Sequence, residues 1–212
     1  MLEESVKQCI KINNFLEDKD FDKIKNTDGE LHQYMDNNGV FQGKCTSTQQ
    51  WLSAENDLYK TIETKLTTCD KFKDNNIDAV QVLTAHKPFD VHSDYIVQKD
   101  QAPLVDPLVN TPTYTIIIPM SEGYSTVVFE QSANYNNFSQ YKNDNTKLVD
   151  HCPDETWDEH CSHCHKQDQK YLSINEIFQW SKGTLFAFNR RLFHCSSNFQ
   201  TPKQAIVLWL SK

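Results

Sequence analysis

The chain has 212 residues, a length typical of one domain, and carries a formal net charge of −8 at pH 7. This acidic balance argues against a broad nucleic-acid surface, because proteins that bind phosphate backbones usually present a basic stripe. No basic segment followed by an apolar run opens the sequence, and no stretch approaches the ~18 apolar residues of a membrane span, so we expect no secretory signal and no membrane partner. The seven cysteines lack the even pattern of a disulfide scaffold, which indicates reduced thiols and a cytoplasmic location.

The first part of the chain, residues 1–75, is polar and has the pattern of helices. Thr46, Ser47 and Thr48 are candidate N-cap residues for a helix. The apolar positions that follow keep largely to one face of such a helix, and they are Trp51, Leu52, Leu58, Tyr59, Ile62 and Leu66. We interpret residues 1–75 as a helical support that packs on a core sheet.

Short segments rich in β-branched and aromatic residues begin near residue 79 and are separated by turn signals. The predicted strands are residues 79–84, 113–120, 125–131, 184–188 and 204–210. Several short strands without helices between them favour a sandwich or barrel over a doubly wound sheet. We therefore predict a mainly β protein with N-terminal helices, of the α+β class, in which residues 1–212 form one domain and the polar stretch 132–170 is an insertion.

His92 and Asp94 are separated by one residue shortly after a predicted strand. On an extended chain, residues i and i+2 project from the same face, so this imidazole and this carboxylate lie side by side. One further histidine would complete two nitrogens and one oxygen on one face of an octahedral metal, which is the arrangement of the iron(II) facial triad. His194, a few residues after the predicted strand 184–188, is the natural candidate. Lys203, at the start of the last predicted strand, is placed to bind the far carboxylate of a dicarboxylate chelated to that metal.

Four segments of the sequence resemble the 2-oxoglutarate/iron(II) dioxygenase superfamily, and its prolyl-hydroxylase-like branch in particular. They are QVLTAHKPFDVHSDY, TYTIIIPMSEGYSTVVFE, SKGTLFAFNRRLFHCSSN and TPKQAIVLWLS, which cover roughly residues 79–131 and 180–211 in the order of the family. The resemblance implies a double-stranded β-helix (jelly-roll) core. It also implies that His92, Asp94 and His194 are iron ligands and that Lys203 anchors 2-oxoglutarate.

Two positions depart from the pattern of the family. Many relatives carry arginine where Lys203 stands, and a lysine makes a point contact in place of a bidentate one. Many relatives also place a tyrosine on the third strand to contact the cosubstrate. Ile118 stands near that position here, which leaves Tyr114, on the same face by alternation, as the predicted substitute. Asp94 argues for hydroxylation over halogenation, since a small residue there would leave room for a halide.

The resemblance implies an enzyme that uses iron(II) and 2-oxoglutarate, hydroxylates its substrate and releases succinate and carbon dioxide. A protein side chain or a small metabolite suits the acidic chain better than nucleic acid does as the substrate. Two alternatives stay open. One is a nucleic-acid demethylase of the same superfamily, and the other is a non-catalytic cupin-like or zinc-stabilised binding module.

The insertion contains a segment dense in cysteine and histidine. Cys161 and Cys164 have the spacing of a zinc-finger pair, and Cys152 with one nearby histidine would complete a tetrahedral site. The candidate histidines are His151, His160, His163 and His165, of which the predicted set takes His165. A structural zinc ion is one interpretation of this segment, and free thiols on a polar loop are the other. We expect the insertion to pack over the rim of the metal site, because it has too few apolar residues for a core of its own.

Overall fold

The computed structural model describes residues 8–26, 31–33, 47–94, 113–132, 138–144, 149 and 152–212. In this part of the chain the strands are β1 (Ile10–Ile12), β2 (Leu31–Gln33), β3 (Ser47–Trp51), β4 (Asn76–Ala85), β5 (Tyr114–Pro119), β6 (Ser125–Ser132), β7 (Ile174–Gln179), β8 (Leu185–Asn189), β9 (Leu192–Ser196) and β10 (Lys203–Ser211). The α-helices are α1 (Asp18–Phe21), α2 (Asp57–Thr67), α3 (Phe138–Asp144) and α4 (Asp154–His160), and two 3₁₀ helices span Asp22–Asn26 and Lys166–Tyr171. None of the described helices is long and apolar enough to cross a membrane.

The strands form two antiparallel sheets. The larger sheet has seven strands in the order β1-β8-β5-β10-β4-β3-β2, and the smaller has three in the order β7-β6-β9. The mainly β architecture predicted from the sequence is confirmed, and the five predicted strands correspond to β4, β5, β6, β8 and β10. Pairing of β10 with both β4 and β5 places the end of the chain in the middle of the larger sheet.

Two strands of the smaller sheet, β7 and β9, are not predicted by the sequence pattern. β7 interrupts its apolar residues with Asn175 and Glu176, and β9 begins almost immediately after β8. Both therefore lack the separate run of β-branched residues that marks the other strands. Each is hydrogen-bonded to β6, so tertiary pairing makes these segments strands where local propensity is weak.

Helix α2 is the main helix of the N-terminal region. Its N-cap is Asn56, whose side-chain oxygen accepts hydrogen bonds from the backbone N–H groups of Leu58 and Tyr59. Its apolar face packs against the larger sheet through Leu58, Ile62 and Leu66, all of which are buried. This contact agrees with the helix packed on a sheet that the apolar stripe predicts.

The remainder of the N-terminal region differs from the prediction. The helix start expected at Ser47 or Thr48 is wrong, because Ser47 begins β3, which pairs with β4 and extends the larger sheet. Thr46 lies outside the described residues. β1 and β2 are also strands of that sheet, and β1 pairs with β8. The described part of residues 1–75 is thus a mixture of strands and helices. An edge strand of a sheet has unpaired backbone N–H and C=O groups, and these can form hydrogen bonds with another segment even when the side chains of that segment are polar.

The layer between the two sheets is aromatic and aliphatic. Phe178 of the smaller sheet stacks on Phe186 of the larger one, with ring centroids 4.2 Å apart. The other buried members of this layer are Ile117, Val128, Trp180, Phe188, Leu192, Ala205 and Val207. His194 adjoins the layer, because its ring lies 4.7 Å from that of Phe188. The candidate metal ligands are therefore held against a close-packed core, which restricts their rotamers.

The insertion packs on the outer face of the smaller sheet. Phe138 of α3 and Trp157 of α4 are buried against Val127, Phe129 and Phe193. Because alternate residues of a strand face opposite sides, these sheet residues point away from the inter-sheet layer. No described residue of the insertion lines the cavity of the candidate site, although His163 contacts the carbonyl oxygen of Phe89, which does line it. The expected position of the insertion over the rim stays a prediction.

Gly183, in the turn before β8, provides a test of this architecture. Its φ is +73°, and a Cβ there would collide with the carbonyl oxygen of Leu16. Gly123 has a similar φ of +79° but open space around it, so it is a matched control. We expect Gly123→Ala to lower the free energy of unfolding by about 1–2 kcal/mol, and Gly183→Ala by at least about 3 kcal/mol, in urea denaturation. Equal losses would show that Leu16 does not pack against this turn.

Candidate metal centre

His92 and His194 are brought together by backbone pairing. The N–H of His92 donates to the carbonyl of His194 at 3.0 Å, and the N–H of His194 donates to the carbonyl of His92 at 2.8 Å. The two residues form an isolated antiparallel bridge that attaches the segment after β4 to β9. The N–H of Asp94 then donates to the carbonyl of Arg190 at 3.0 Å, which continues the attachment. Residues that face each other in such a pair have side chains on the same side of the sheet.

The three predicted ligands converge on one point. One ligand atom each from His92, Asp94 and His194 lies within 4.8 Å of the other two. His194 Nε2 is 3.5 Å from Asp94 Oδ2, and His92 Nε2 is 3.9 Å from Asp94 Oδ1. The imidazole centroids are 4.3 Å apart. Two nitrogens and one carboxylate oxygen in this arrangement suit a divalent first-row metal with an open opposite face.

Each histidine presents the nitrogen that a metal needs. His92 Nδ1 lies 2.7 Å from the carbonyl oxygen of Asp90, and His194 Nδ1 lies 3.1 Å from that of Leu192. Only a protonated Nδ1 can donate to a carbonyl, so Nε2 carries the free lone pair in both rings. Burial, followed by the proximity of His92, lowers the pKa of His194 to about 4. The ring is therefore neutral at pH 7, which is the form that binds a metal.

Asp94 is held as a carboxylate by its surroundings. Burial by itself raises its pKa, but the neighbouring His194 and His92 and hydrogen bonds from Thr115 and Trp209 outweigh burial, so the pKa is lowered. The Thr115 hydroxyl donates to Asp94 Oδ2 at 2.6 Å. This contact leaves the side chain ionised and fixes its orientation toward the histidines.

The three residues open into a cavity of about 510 Å³ between the sheets. Lys203 is also in its lining, together with Thr115, Ile117, Trp180 and Trp209. The lysine is only 2 % exposed, and its Nζ lies 4.1 Å from the Trp180 ring centroid. Nζ also donates to the carbonyl of Ser125 at 3.5 Å. Burial lowers the pKa of Lys203 to about 7, although nearby Cys195 opposes that shift.

Tyr114 does not lie in this cavity. It packs on the other face of the larger sheet, where its ring meets Phe72 edge to face at a centroid distance of 5.4 Å. Ile118 is buried on that same face. The prediction of Tyr114 as a cosubstrate contact is therefore wrong, because the residues of β5 that line the cavity are Thr115 and Ile117. Alternation along a strand shows which residues share a face, but it does not show which of the two faces points into the cavity.

The predicted zinc ligands are only partly brought together. Cys161 Sγ lies 3.7 Å from Cys195 Sγ, and Cys164 Sγ lies 3.3 Å from His163 Nε2. Cys152 is buried but donates to the carbonyl of Pro153, and His165 is exposed at the start of a 3₁₀ helix. The set Cys152, Cys161, Cys164 and His165 is therefore not a site in the described structure. All of the described cysteines are free thiols.

Comparison with known proteins identifies the fold. The sequence matches no protein-family model, and no relative is found among the curated proteins. The structure of HygX from Streptomyces hygroscopicus, with nickel and 2-oxoglutarate bound, matches with a TM-score of 0.58 at 11 % identity, over 98 % of this chain and 84 % of HygX. The collagen prolyl hydroxylase of Paramecium Bursaria Chlorella virus-1, in complex with 2-oxoglutarate, matches with a TM-score of 0.50 at 16 % identity, over 96 % and 94 % of the two chains.

A third match is the epimerase SnoN of nogalamycin biosynthesis, in a complex with Fe³⁺, α-ketoglutarate and nogalamycin RO. Its TM-score is 0.53 at 9 % identity, over 96 % of this chain and 78 % of SnoN. This chain therefore has the fold of the 2-oxoglutarate- and iron-dependent oxygenases, and the predicted jelly-roll core is confirmed. The fold implied by the four sequence segments thus agrees with the fold of these structures.

Two residues that shape the site have no signal in the sequence. Thr115 and Trp209 both donate hydrogen bonds to Asp94, yet they lie on β5 and β10, far from Asp94 along the chain. Threonine and tryptophan are common in strands, so their type alone does not distinguish them. Only the pairing of β5 with β10, in which Thr115 stands opposite Trp209, puts both donors beside the carboxylate.

Removal of the Thr115 hydroxyl tests the support of Asp94. Thr115→Val keeps the shape of the side chain but takes away the donor at 2.6 Å from Asp94 Oδ2. We expect affinity for Fe(II) or Ni(II), measured by calorimetric titration, to fall roughly ten- to a hundredfold. Thr84→Val, on β4 of the same sheet, removes a hydroxyl that contacts Gln204 instead and should leave the affinity unchanged. Unaltered metal binding in Thr115→Val would contradict this assignment.

Proposed function

We propose that this protein is a 2-oxoglutarate- and iron(II)-dependent oxygenase that hydroxylates a protein side chain or a small molecule. The observation that carries the proposal is the presence of two histidines, an aspartate whose pKa is lowered and a buried lysine in the lining of one cavity. The oxygenase fold alone accommodates several chemistries, so the argument rests on the site.

His92, Asp94 and His194 would hold the iron. Their donor set is the facial triad, and the hydrogen bonds from each Nδ1 and to Asp94 Oδ2 orient all three groups before any metal arrives. When bound, iron(II) with 2-oxoglutarate supplies the oxidation: one oxygen atom of O₂ enters the substrate as hydroxyl, the other enters succinate, and carbon dioxide leaves. The contribution of the chain is to position the substrate and to exclude water from the inter-sheet cavity.

Lys203 would bind the far carboxylate of 2-oxoglutarate. Among the described residues no carboxylate pairs with its Nζ, which lies near the ring faces of Trp180 and Phe199 at 4.1 and 4.9 Å. A cation this deeply buried is costly unless it meets an anion, and a dicarboxylate supplies one. The aromatic faces give partial compensation before the anion binds.

The substrate would enter where Trp51 stands. This tryptophan is 39 % exposed, lines the cavity and lies beside Trp209, with ring centroids 5.9 Å apart. Gln49 and Gln81 also line the cavity and offer neutral hydrogen-bonding groups. Such a mouth suits an uncharged side chain or small molecule. A nucleic-acid substrate is less favoured, because the net charge of −8 repels phosphate.

Turnover of 2-oxoglutarate tests the function without knowledge of the substrate. We expect purified protein with Fe(II) and O₂ to convert 2-oxoglutarate slowly to succinate, measured by mass spectrometry. Asp94→Ala removes one ligand and should reduce the rate about a hundredfold or more. His86→Ala alters an exposed histidine just before the site and is the matched control. Absence of succinate from the metal-loaded wild type would favour the non-catalytic binding module.

The role of Lys203 predicts a dependence on pH. Binding of the dicarboxylate needs the protonated amine, whose pKa in the free protein is about 7. The KM for 2-oxoglutarate should therefore be lowest below pH 7 and rise about tenfold per pH unit above it, since the amine must first take up a proton. Lys203→Arg, which stays charged, should flatten this profile between pH 7 and 9.

Loss of the cation is the companion experiment. Lys203→Ala should raise the KM for 2-oxoglutarate about ten- to a hundredfold, equivalent to about 1.5–3 kcal/mol, with nearly unchanged iron affinity. Lys87→Ala, at an exposed lysine in the same approach to the site, should have no effect. If Lys203→Ala binds 2-oxoglutarate as tightly as the wild type, another group anchors the cosubstrate.

A further inference from the structure

A cluster of three thiols and one imidazole lies where the turn after α4 packs on β9. One side-chain atom each from His163, Cys164 and Cys195 lies within 4.8 Å of the other two, and a hydrogen bond joins the two cysteines. Cys161 adjoins the cluster, because its Sγ is 3.7 Å from that of Cys195. All three cysteines are free thiols. None of these four residues holds the iron or the cosubstrate in the proposed function.

The hydrogen bonds of His163 determine its charge. Its Nδ1 lies 2.7 Å from Asn198 Oδ1, and its Nε2 lies 3.0 Å from the carbonyl oxygen of Phe89. The amide of Asn198 cannot be reversed, since its Nδ2 donates to the carbonyl of Glu159 and to Ser162 Oγ, both at 2.8 Å. A carbonyl or amide oxygen can only accept, so each ring nitrogen must carry a proton to satisfy its contact. His163 is therefore an imidazolium cation.

The imidazolium stabilises a thiolate at Cys164, because its Nε2 lies 3.3 Å from Cys164 Sγ. Burial by itself lowers the pKa of His163, but hydrogen bonds with Cys164 and Asn198 outweigh burial and raise the pKa to about 9. A hydrogen bond from Cys195 and the contact with His163 lower the pKa of Cys164 to about 6. Burial and the carboxylate of Asp90 oppose that shift. At pH 7 the sulfur of Cys164 is thus a thiolate, the form of cysteine that reacts with oxidants.

The thiolate is the member of the cluster nearest to solvent. Cys164 is 9 % exposed, whereas Cys161 and Cys195 are fully buried, so a small oxidant in solution meets Cys164 first. Cys164 also belongs to a surface turn in which Ser162 and His165 are exposed, and such a turn can shift toward β9 more easily than the strand itself can move. The cluster therefore combines an accessible thiolate with a second thiol directly behind it.

We propose that hydrogen peroxide oxidises Cys164, which then forms a reversible disulfide with Cys195. The thiolate attacks one peroxide oxygen, so that an S–O bond forms, the O–O bond breaks, and the departing hydroxide takes a proton from His163 to give water. The sulfur of Cys195 then attacks that of Cys164: the S–S bond forms, the S–O bond breaks, and hydroxide leaves with the Cys195 proton as a second water. Two electrons pass from the thiols to the peroxide. The disulfide joins the turn after α4 to the strand that carries His194.

Peptide mass spectrometry without reduction tests the disulfide in the full-length protein. After brief treatment with hydrogen peroxide, we expect a cross-link between Cys164 and Cys195, located by fragmentation, that dithiothreitol removes. Cys164→Ser should abolish it. Cys152→Ser, at another buried thiol of the insertion, and Asp94→Ala, whose iron site is disabled, should both retain it. No cross-link in the wild type, a cross-link through Cys161 in place of Cys164, or its loss in Asp94→Ala would overturn the proposal.

The rate of cross-linking tests the role of His163. His163→Gln keeps a hydrogen-bond donor but removes the positive charge, so at pH 7 the reaction with peroxide should slow by at least about tenfold. The difference should narrow at pH 9, where a thiol without a cationic neighbour also ionises. His165→Gln, at an exposed histidine on the other side of Cys164, is the matched control and should leave the rate unchanged. Equal rates for the two variants at pH 7, or a His163→Gln rate that stays low at pH 9 in folded protein checked by circular dichroism, would overturn the proposal.

Discussion

Two backbone hydrogen bonds, of 3.0 and 2.8 Å, join His92 to His194 and tie the segment after β4 to β9. The segment comes from the larger sheet and β9 from the smaller one, so the sheets are connected where the site forms. Because the two histidines face each other in an antiparallel pair, the same bonds bring their rings together. Asp94 joins them two residues along the extended chain. A shift of this pairing by one residue would turn His194 to the outer face and remove the site.

The burial of this pair then determines the chemistry that the cavity can support. Burial lowers the pKa of His194, while the neighbouring histidines and hydrogen bonds from Thr115 and Trp209 lower the pKa of Asp94 against the effect of burial. Burial lowers the pKa of Lys203 to about 7, because the neighbours of its amine are mainly aromatic faces and a carbonyl. The cavity thus combines a preformed set of metal donors with a cation whose charge a bound carboxylate would stabilise.

Strand β9 serves two environments at once. His194 faces the cavity between the sheets, while its neighbour Phe193 packs against the insertion. Cys195 belongs to the same outer cluster as Phe193 and also borders the cavity. A change in the outer packing is therefore felt at the inner face, since one short strand carries both sets and its side chains are close-packed on both sides. The insertion thus packs on the strand that carries His194, although none of its described residues lines the cavity.

Much of the fold was accessible from the sequence alone, because β-branched segments, turn signals and the spacing of His92 and Asp94 are local properties. These predict five of the strands and place two ligand types on one face of the chain. Which strand face lines the cavity, and which distant residues meet, depend on the tertiary structure. Because residues alternate along a strand, Tyr114 and Ile118 lie on the same face of β5. Only the packing of the two sheets determines that this face points away from the cavity and that Thr115 lines the cavity. Likewise, the spacing of Cys161 and Cys164 is a local signal, whereas the approach of Cys195 from another strand depends on the pairing of β9 with β6, which no local pattern encodes.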